Sequence, residues 1–137
     1  MEILTIETKG QNDIVEITDK IQDIVSRKGV ENGIVNLFVI GSTASITTAE
    51  DDKNLYLDIK DVLETIAPYG KKWAHHKTWG DDNGAAHIRA TLLGPNLSVP
   101  IEKGKLILGT WQKIVLLDFD TRERKREIVV SIIPDNL

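Results

Sequence analysis

The 137-residue sequence contains no cysteine and only three histidines. The absence of cysteine excludes disulfide bonds, thiolate nucleophiles and metal sites built on cysteine. No apolar run approaches the roughly 18 residues that are needed to cross a bilayer, so we expect no membrane partner. The first ten residues, MEILTIETKG, lack the charged region and apolar core of a secretory signal. We therefore expect a cytoplasmic protein.

The charge balance argues against a nucleic-acid partner. The chain has 21 acidic and 17 basic side chains and a net charge of −4, whereas nucleic-acid binders usually present a basic face. The one basic run, RERKRE at 122–127, is interleaved with acidic residues and lies between two apolar segments. This pattern is typical of a solvated hairpin turn.

Length and composition predict one globular domain over residues 1–137, because this length suits a single core. Periodicity predicts alternating strands and helices in the first half of the chain. The predicted elements are strands at 2–8 and 13–17 paired as a hairpin across 10–12, a helix capped by Thr18 or Asp19 and ended by Gly29, a buried strand at 34–40, and a helix at about 52–66 closed by Pro68.

From residue 85 onward every segment has the signals of β-structure, with glycine-containing turns at 94–96 and 103–104. Gly109 interrupts a long apolar stretch, which predicts a bulge or a close backbone approach. The order of elements predicts an α+β fold. We expect a β-rich single domain in which a strand pair and two helices precede antiparallel strands in a sandwich-like arrangement.

All three histidines fall in the segment HHKTWGDDNGAAH, residues 75–87. Two histidines at the spacing of His75 and His87 match no helical zinc motif. Histidine together with carboxylate is nevertheless the minimum set for a divalent metal or for general acid–base catalysis. The segment is therefore either a polar loop or part of a reaction centre.

Strand alternation beyond residue 87 would place His87, Arg89 and Thr91 on one face. Such a face is either solvated, as on an edge strand, or lines a polar cavity. Two adjacent acids upstream, Asp81 and Asp82, can orient an imidazole through its second nitrogen.

Two further segments have ligand-binding features. GSTAS at 41–45 follows the predicted buried strand, so it is either a simple turn or a source of free backbone N–H groups and hydroxyls for an anion. In GTWQ at 109–112, a glycine stands two residues before Trp111. The tryptophan is either part of the core or lies beside space for a ligand.

A longer series of residues resembles the YjbQ family of small proteins. The resemblance covers roughly residues 5–133 and includes GSTASITTAE in the first half of the chain. The matching positions, in order, are Asp82-Asn83, His87, Leu93-Gly94-Pro95, Pro100, Gly104, Gly109-Thr110-Trp111-Gln112 and Asp118-Phe119-Asp120.

The resemblance implies a β-rich α+β fold that assembles as a homotrimer or a dimer of trimers, with sheets packed against those of neighbouring subunits. It also implies an auxiliary thiamine-phosphate synthase activity, which joins a pyrimidine diphosphate to a thiazole phosphate. The expected partner is then a phosphorylated small molecule. The alternative is a non-catalytic trimer that binds a metal or a metabolite.

Residue type and family match together suggest a role for each candidate. The catalytic candidates are His75, His87, Asp82 and Asn83, and the substrate-binding candidates are Ser42, Thr43, Glu50, Arg89, Trp111 and Gln112. The two histidines would orient or protonate the leaving group, or would bind a divalent metal. If the ion is Mg²⁺, its carboxylate ligand would be Asp82, Asp81 or Glu50.

The chain departs from the family pattern at one position that matters for a metal. Many bacterial relatives resembling this chain have His-Thr-Thr where it has Gly41-Ser42-Thr43, and Gly-Ser-Thr is usual in an archaeal-type branch. If the bacterial histidine is a ligand, this chain keeps only His75 and His87 of that set. Two readings follow: a looser site for Mg²⁺ or Zn²⁺ that is completed by a carboxylate, or no metal.

Overall fold

The computed structural model describes residues 1–136 and contains two antiparallel sheets and four helices. The strands are β1 (Glu2–Thr8), β2 (Asp13–Glu16), β3 (Gly33–Val39), β4 (Ala44–Ala49), β5 (Asn96–Glu102), β6 (Lys105–Leu106), β7 (Lys113–Asp118) and β8 (Arg124–Pro134). The helices are α1 (Thr18–Lys28), α2 (Lys53–Ile66), α3 (His76–Trp79) and α4 (Gly84–Leu93). The predicted α+β class is confirmed.

The five-stranded sheet A has the order β1-β8-β3-β5-β6, and the three-stranded sheet B has the order β2-β7-β4. Alternation along β7 builds two cores, one on each face of sheet B. Ile114 and Leu116 pack into a core shared with sheet A and α1, whereas Val115 and Leu117 pack against α2 and α4. Sheet B is therefore the middle layer of the domain.

The predicted helix ended by Gly29 and the predicted helix at about 52–66 are confirmed. Gly29 closes α1 in a left-handed conformation with φ of 70°. Asp52 caps α2 by accepting hydrogen bonds from the backbone N–H groups of Asn54 and Leu55. The predicted cap of α1 is wrong, because the Thr18 hydroxyl instead accepts from the Ile114 N–H at 2.8 Å and ties α1 to β7.

Two predicted hairpins are wrong. β1 pairs with β8 in sheet A and β2 pairs with β7 in sheet B, so the turn at 10–12 carries the chain between sheets. The basic run at 122–127 also joins the two sheets, because it follows β7 and enters β8. Local alternation identifies strands but not their partners, since the apolar face of each strand fits more than one sheet.

The prediction of β-structure at 85–94 is wrong, because α4 occupies Gly84–Leu93. Small residues on one helical face, Ala85, Ala86 and Ala90, are buried together with Arg89. The apolar residues of this short segment fit both the strand period and the helix period. Close packing against β4 favours the helix, and there the Ser45 hydroxyl donates to the Ala90 carbonyl at 3.2 Å.

The long apolar stretch around Gly109 is not one strand. β6 ends at Leu106, β7 begins at Lys113, and the residues between them form a turn. A side chain at Gly109 would meet only Gln112 within 4 Å. The predicted close backbone approach at Gly109 is therefore absent within residues 1–136. No helix of these residues has the length and apolar character to span a membrane.

Candidate functional site

A cavity of about 390 Å³ opens where the loop between β3 and β4 faces the segment around α3 and the first turn of α4. We call it the His-pair cavity. Its lining residues are Gly41, Ser42, Thr43, His75, Trp79, Asp81, Asn83, His87, Asp120 and Arg124. The cavity thus brings together two of the segments that the sequence singles out, 41–45 and 75–87.

His75 and His87 are in direct contact at this cavity. Their ring centroids are 4.6 Å apart and the rings meet edge to face at 62°. Helix α4 holds His87 in its first turn, while His75 directly precedes α3. The fold therefore places two imidazoles from separate segments side by side at one cavity.

Two buried polar atoms at the His-pair cavity lack a partner within the described chain. They are Nε2 of His75 and Oδ1 of Asn83. Buried polar atoms in native proteins are nearly always hydrogen-bonded, and an unpaired one costs about 1–3 kcal/mol. Both atoms belong to residues that line the cavity, so a bound group able to donate and accept hydrogen bonds would satisfy them.

The third histidine has a structural role. Nε2 of His76 accepts a hydrogen bond from the backbone N–H of Gly84 at 3.1 Å, and its Nδ1 lies 3.2 Å from Oδ1 of Asp82. Accepting at Nε2 places the proton of the neutral ring on Nδ1, which donates to Asp82. His76 thereby satisfies one free N–H at the start of α4. The position needs glycine, because a Cβ on Gly84 would lie 2.8 Å from Cβ of Trp73.

The loop 41–43 presents unpaired backbone donors. Within residues 1–136, the N–H groups of Gly41, Ser42 and Thr43 donate to no protein acceptor. Gly41 has φ of 127°, and a Cβ there would approach Nη1 of Arg126 to 2.8 Å. Both the backbone conformation and the contact with Arg126 favour glycine at this position. Successive free N–H groups are suited to an anion.

A buried ion pair between Arg126 and Asp118 contacts the loop 41–43. Arg126 is 2% exposed, and its Nε and Nη2 donate to the two carboxylate oxygens of fully buried Asp118 at 2.8 and 2.7 Å. Nη2 of Arg126 also donates to the Thr43 hydroxyl at 2.6 Å. The Thr8 hydroxyl donates to Asp118 from the other side. The sequence reasoning missed Arg126, because its segment resembles a solvated turn.

Asp120 connects this buried network to the cavity. Its carboxylate accepts from the Thr43 hydroxyl at 3.1 Å and from Nη1 of Arg124 at 2.9 Å. Burial raises the pKa of Asp120, but hydrogen bonds from the Thr121 backbone, Thr43 and Asn83 and the charge of Arg124 outweigh it, so the pKa is lowered. The Asp-x-Asp spacing at the end of β7, which puts 118 and 120 on one side of the chain, is the signal that could have indicated these residues.

We predict that Asp120→Asn makes the free energy of unfolding less dependent on pH in the acid range. A carboxyl with a lowered folded pKa stabilises the fold above its unfolded pKa, near 3.8, and loses that contribution as the pH falls through the lower folded pKa. The variant should be less stable than wild type at pH 7, and the difference should shrink between pH 5 and pH 2. Urea unfolding at each pH measures it, and a difference that is constant with pH would contradict the prediction.

Arg89 lies away from the cavity, although the sequence suggested that it binds substrate. Its side chain is fully buried beneath α4, where Nε donates to the Ala67 carbonyl at 3.0 Å and Nη2 to Glu64 at 2.8 Å. Its guanidinium also lies 4.1 Å from the centre of the Tyr69 ring. Burial raises the pKa of Tyr69 to about 12. Arg89 therefore ties α4 to the end of α2.

Three other candidates also lie apart from the cavity. Glu50, Trp111 and Gln112 are at the far end of β4, where Ala49 pairs with Lys113, whereas the cavity adjoins the end at which Ala44 pairs with Asp118. The two ends are roughly 17 Å apart along the strand. Trp111 is 73% exposed, so it does not belong to the core either. Within the described chain these residues do not join His75 and His87.

The histidine and carboxylate side chains around the His-pair cavity do not form a complete zinc site. Among residues 1–136, no group of three or more histidine or carboxylate side chains is arranged to hold a metal ion, and catalytic zinc usually has three protein ligands. Asp82 is engaged by His76 and Glu50 is distant, which leaves Asp81 as the one suggested Mg²⁺ ligand that borders the cavity. A single carboxylate suits Mg²⁺ only when phosphate oxygens and water supply the other ligands.

Comparison with known proteins identifies the family. The family described as "UPF0047 protein YjbQ-like" matches residues 2–135. A UPF0047 protein of Archaeoglobus fulgidus is 37% identical over 129 residues, which cover 94% of this chain and 98% of that protein.

Solved structures agree with this match. A YbjQ-like protein of unknown function from Sulfolobus solfataricus superposes with a TM-score of 0.89 at 35% identity, covering 98% of this chain and 97% of that one. An uncharacterized YjbQ/UPF0047 protein of Clostridium acetobutylicum gives 0.88 at 33% identity, covering 97% and 100%. The chain belongs to the UPF0047 (YjbQ-like) family.

Proposed function

We propose that the protein is an enzyme that acts on phosphorylated small molecules at the His-pair cavity. The observation that carries this proposal is the unpaired buried Nε2 of His75, which lies beside His87 in a cavity lined by residues 41–43, whose backbone N–H groups have no acceptor among residues 1–136. An imidazole pair supplies a proton donor or acceptor, and the N–H groups together with Arg124 supply donors for phosphate oxygens.

The specific reaction that we propose is the coupling of a pyrimidine diphosphate to a thiazole phosphate, as the family resemblance implies. The lone pair of the thiazole nitrogen forms a bond to the activated methylene carbon, and the bond from that carbon to the diphosphate oxygen breaks. The electron pair leaves with pyrophosphate, so no oxidant or added base is needed. The chief requirement is stabilisation of the departing charge.

The residues around the cavity meet this requirement in distinct ways. The free N–H groups of Ser42 and Thr43 hold phosphate oxygens, and Arg124 adds a positive charge. His75 or His87 gives a proton to the leaving pyrophosphate. Asp81 would hold a Mg²⁺ ion bound to the diphosphate, and that ion would supply further charge neutralisation. Trp79, which is 76% exposed at the rim, offers a surface for a heterocycle.

A coupling assay tests this function. Metal-free protein is incubated with the pyrimidine diphosphate and the thiazole phosphate, and Mg²⁺ or Zn²⁺ is added back in parallel. We expect thiamine phosphate to form with Mg²⁺. No product with either metal would contradict the synthase reaction.

The second candidate is a non-catalytic protein that binds a metal or a metabolite. The contact between His75 and His87 favours it, because two imidazoles can provide two ligands and a residue from another subunit can provide a third. A structural metal contributes to stability, so a chelator would then lower the melting temperature. An enzyme that takes its metal with the substrate would keep its melting temperature under the same treatment.

We also propose that the protein assembles as a homotrimer through the outer face of sheet A. The strand register places Ile3, Val129 and Phe38 in one row across β1, β8 and β3. A second row contains Ile133 and Ile34. Ile3, Phe38, Ile34 and Ile133 are each 43–53% exposed. An open apolar sheet face of this kind is typical of a subunit interface.

We predict that Phe38→Asp converts the assembly to a monomer, because it places a carboxylate at the centre of the apolar face. Sedimentation equilibrium should give the chain mass of 15.3 kDa for the variant and three times that mass for the wild type. Leu57→Asp is the matched control, since Leu57 is 62% exposed on α2. A trimeric Phe38→Asp protein would exclude this face as the interface.

A further inference from the structure

A second cavity, of about 590 Å³, lies where the end of β1 pairs with the start of β8. We call it the basic cavity. Four cationic side chains line it, Lys9, Arg122, Arg124 and Lys125, against the two carboxylates Glu7 and Glu123. The lining thus has a surplus of two positive charges in a chain whose net charge is −4.

Arg124 is paired with Asp120, but among the residues that the structure describes the other three cationic side chains have a weak carboxylate partner or none. Lys125 and Glu7 are 4.0 Å apart with both side chains at least 75% exposed, which makes their pairing weak. Within residues 1–136, Lys9 and Arg122 form an ion pair with no carboxylate. Cations brought together in this way repel one another, and a bound anion would relieve the repulsion.

Arg124 belongs to both cavities. Its side chain lines the basic cavity and the His-pair cavity, and its Nη1 donates to Asp120 in the wall of the latter. Thr8, in the wall of the basic cavity, is linked to Thr43 through the buried pair of Asp118 and Arg126. The walls of the two cavities are therefore connected by an ordered hydrogen-bond network.

We infer that the basic cavity is a second anion-binding site for a phosphate group of a small molecule, adjacent to the His-pair cavity and sharing Arg124 with it. A guanidinium can donate to two acceptors in its plane, which suits an arginine between two phosphate groups. In its relation to catalysis the inference rests on the proposed function, because a reaction between two phosphorylated molecules needs two neighbouring anion sites.

Titration of ¹⁵N-labelled protein with inorganic phosphate tests the inference site by site. We expect two sets of amide signals to move with different dissociation constants. One set includes Thr8, Lys9 and Lys125, and the other includes Ser42 and Thr43. Arg122→Ala should weaken binding at the first set about tenfold, as expected for the loss of one charge-assisted hydrogen bond, and should leave the second set unchanged.

Lys105→Ala is the control, because it removes one positive charge from exposed β6 at the opposite edge of sheet A. If Lys105→Ala and Arg122→Ala weaken phosphate binding at the first set equally, only overall charge matters and the inference is overturned. If phosphate shifts only the amide signals of the second set, the inference is also overturned and the proposed function stays intact. If phosphate shifts only the amide signals of the first set, the inference is supported, but the phosphate site on which the proposed function depends is excluded.

A parallel titration with pyrophosphate distinguishes two separate ligands from one ligand that bridges both cavities. Separate sites should again give two dissociation constants, with Arg122→Ala changing only one of them. A single dissociation constant for both sets, raised to the same extent at both by Arg122→Ala, would overturn the inference in favour of one continuous site.

Discussion

Arg126→Ala is expected to lower the free energy of unfolding by about 3–5 kcal/mol, because removing one partner of a buried ion pair leaves the other charge unpaired. Asp118 is fully buried and receives two hydrogen bonds from Arg126. Its remaining partners, the Thr8 hydroxyl and the Asp120 N–H, carry no formal charge. Urea unfolding followed by tryptophan fluorescence measures the change.

Arg27→Ala is the matched control for the loss of an arginine from an ion pair. Arg27 contacts Glu2 at 2.8 Å, but its side chain is 59% exposed. Its replacement should change the free energy of unfolding far less than Arg126→Ala does, because water and salt screen an exposed pair. A loss below about 1 kcal/mol for Arg126→Ala would show that the buried pair does not stabilise the fold.

A double replacement separates the charge effect from packing. Arg126→Met with Asp118→Leu removes both charges and keeps most of the side-chain volume. It should be more stable than Arg126→Ala, because no unpaired charge remains in the core. The loop 41–43 would still lose the hydrogen bond between Arg126 and Thr43, so phosphate binding should weaken even where stability recovers.

His87→Ala is expected to lower the rate of thiamine-phosphate formation by about 10²–10⁴-fold, the usual contribution of a positioned proton donor or acceptor. The residue is partly buried on α4 and faces His75, so its removal should leave the fold intact. Circular dichroism and the urea midpoint check the fold, and single-turnover kinetics report the chemical step.

Thr91→Ala is the control for this variant, since Thr91 lies one turn further along the same helix and is exposed. Its hydroxyl contacts only the His87 carbonyl, so turnover should remain near wild type. Combining His75→Ala with His87→Ala should cost little more than either change alone, because the two imidazoles act as one unit. Undiminished turnover in His87→Ala would remove its proposed role.

Much of the fold could be predicted from local patterns. The helical spacing of apolar residues and Asp52 as a cap predict α2 within one residue of its ends. The apolar run at 34–40 predicts a buried strand; β3 is there, but only Val35, Leu37 and Val39 are buried, whereas Ile34 and Phe38 on its other face are exposed. These signals are local because a helix cap or an alternating strand is defined by residues a few positions apart.

The candidate site could be predicted only in part. Ser42, Thr43, His75, Asn83 and His87 were suggested by residue type and family match, and all five line one cavity. Asp120, Arg124 and Arg126 were missed as site residues. The basic run around Arg126 has the composition of a solvated turn, and nothing within it indicates that its fifth residue is buried beside Asp118.

The sequence by itself determined the class of fold, the C-terminal end of α1, both ends of α2 and the family, since these depend on local periodicity and on an ordered series of identities. Only the tertiary structure decided that 84–93 is a helix, that Arg89 is structural and that Trp111 lies far from the histidines. The physical reason is that strand pairing and burial depend on residues far apart in the chain. Asp118, for example, contacts Thr8 from the first strand and Arg126 from the last.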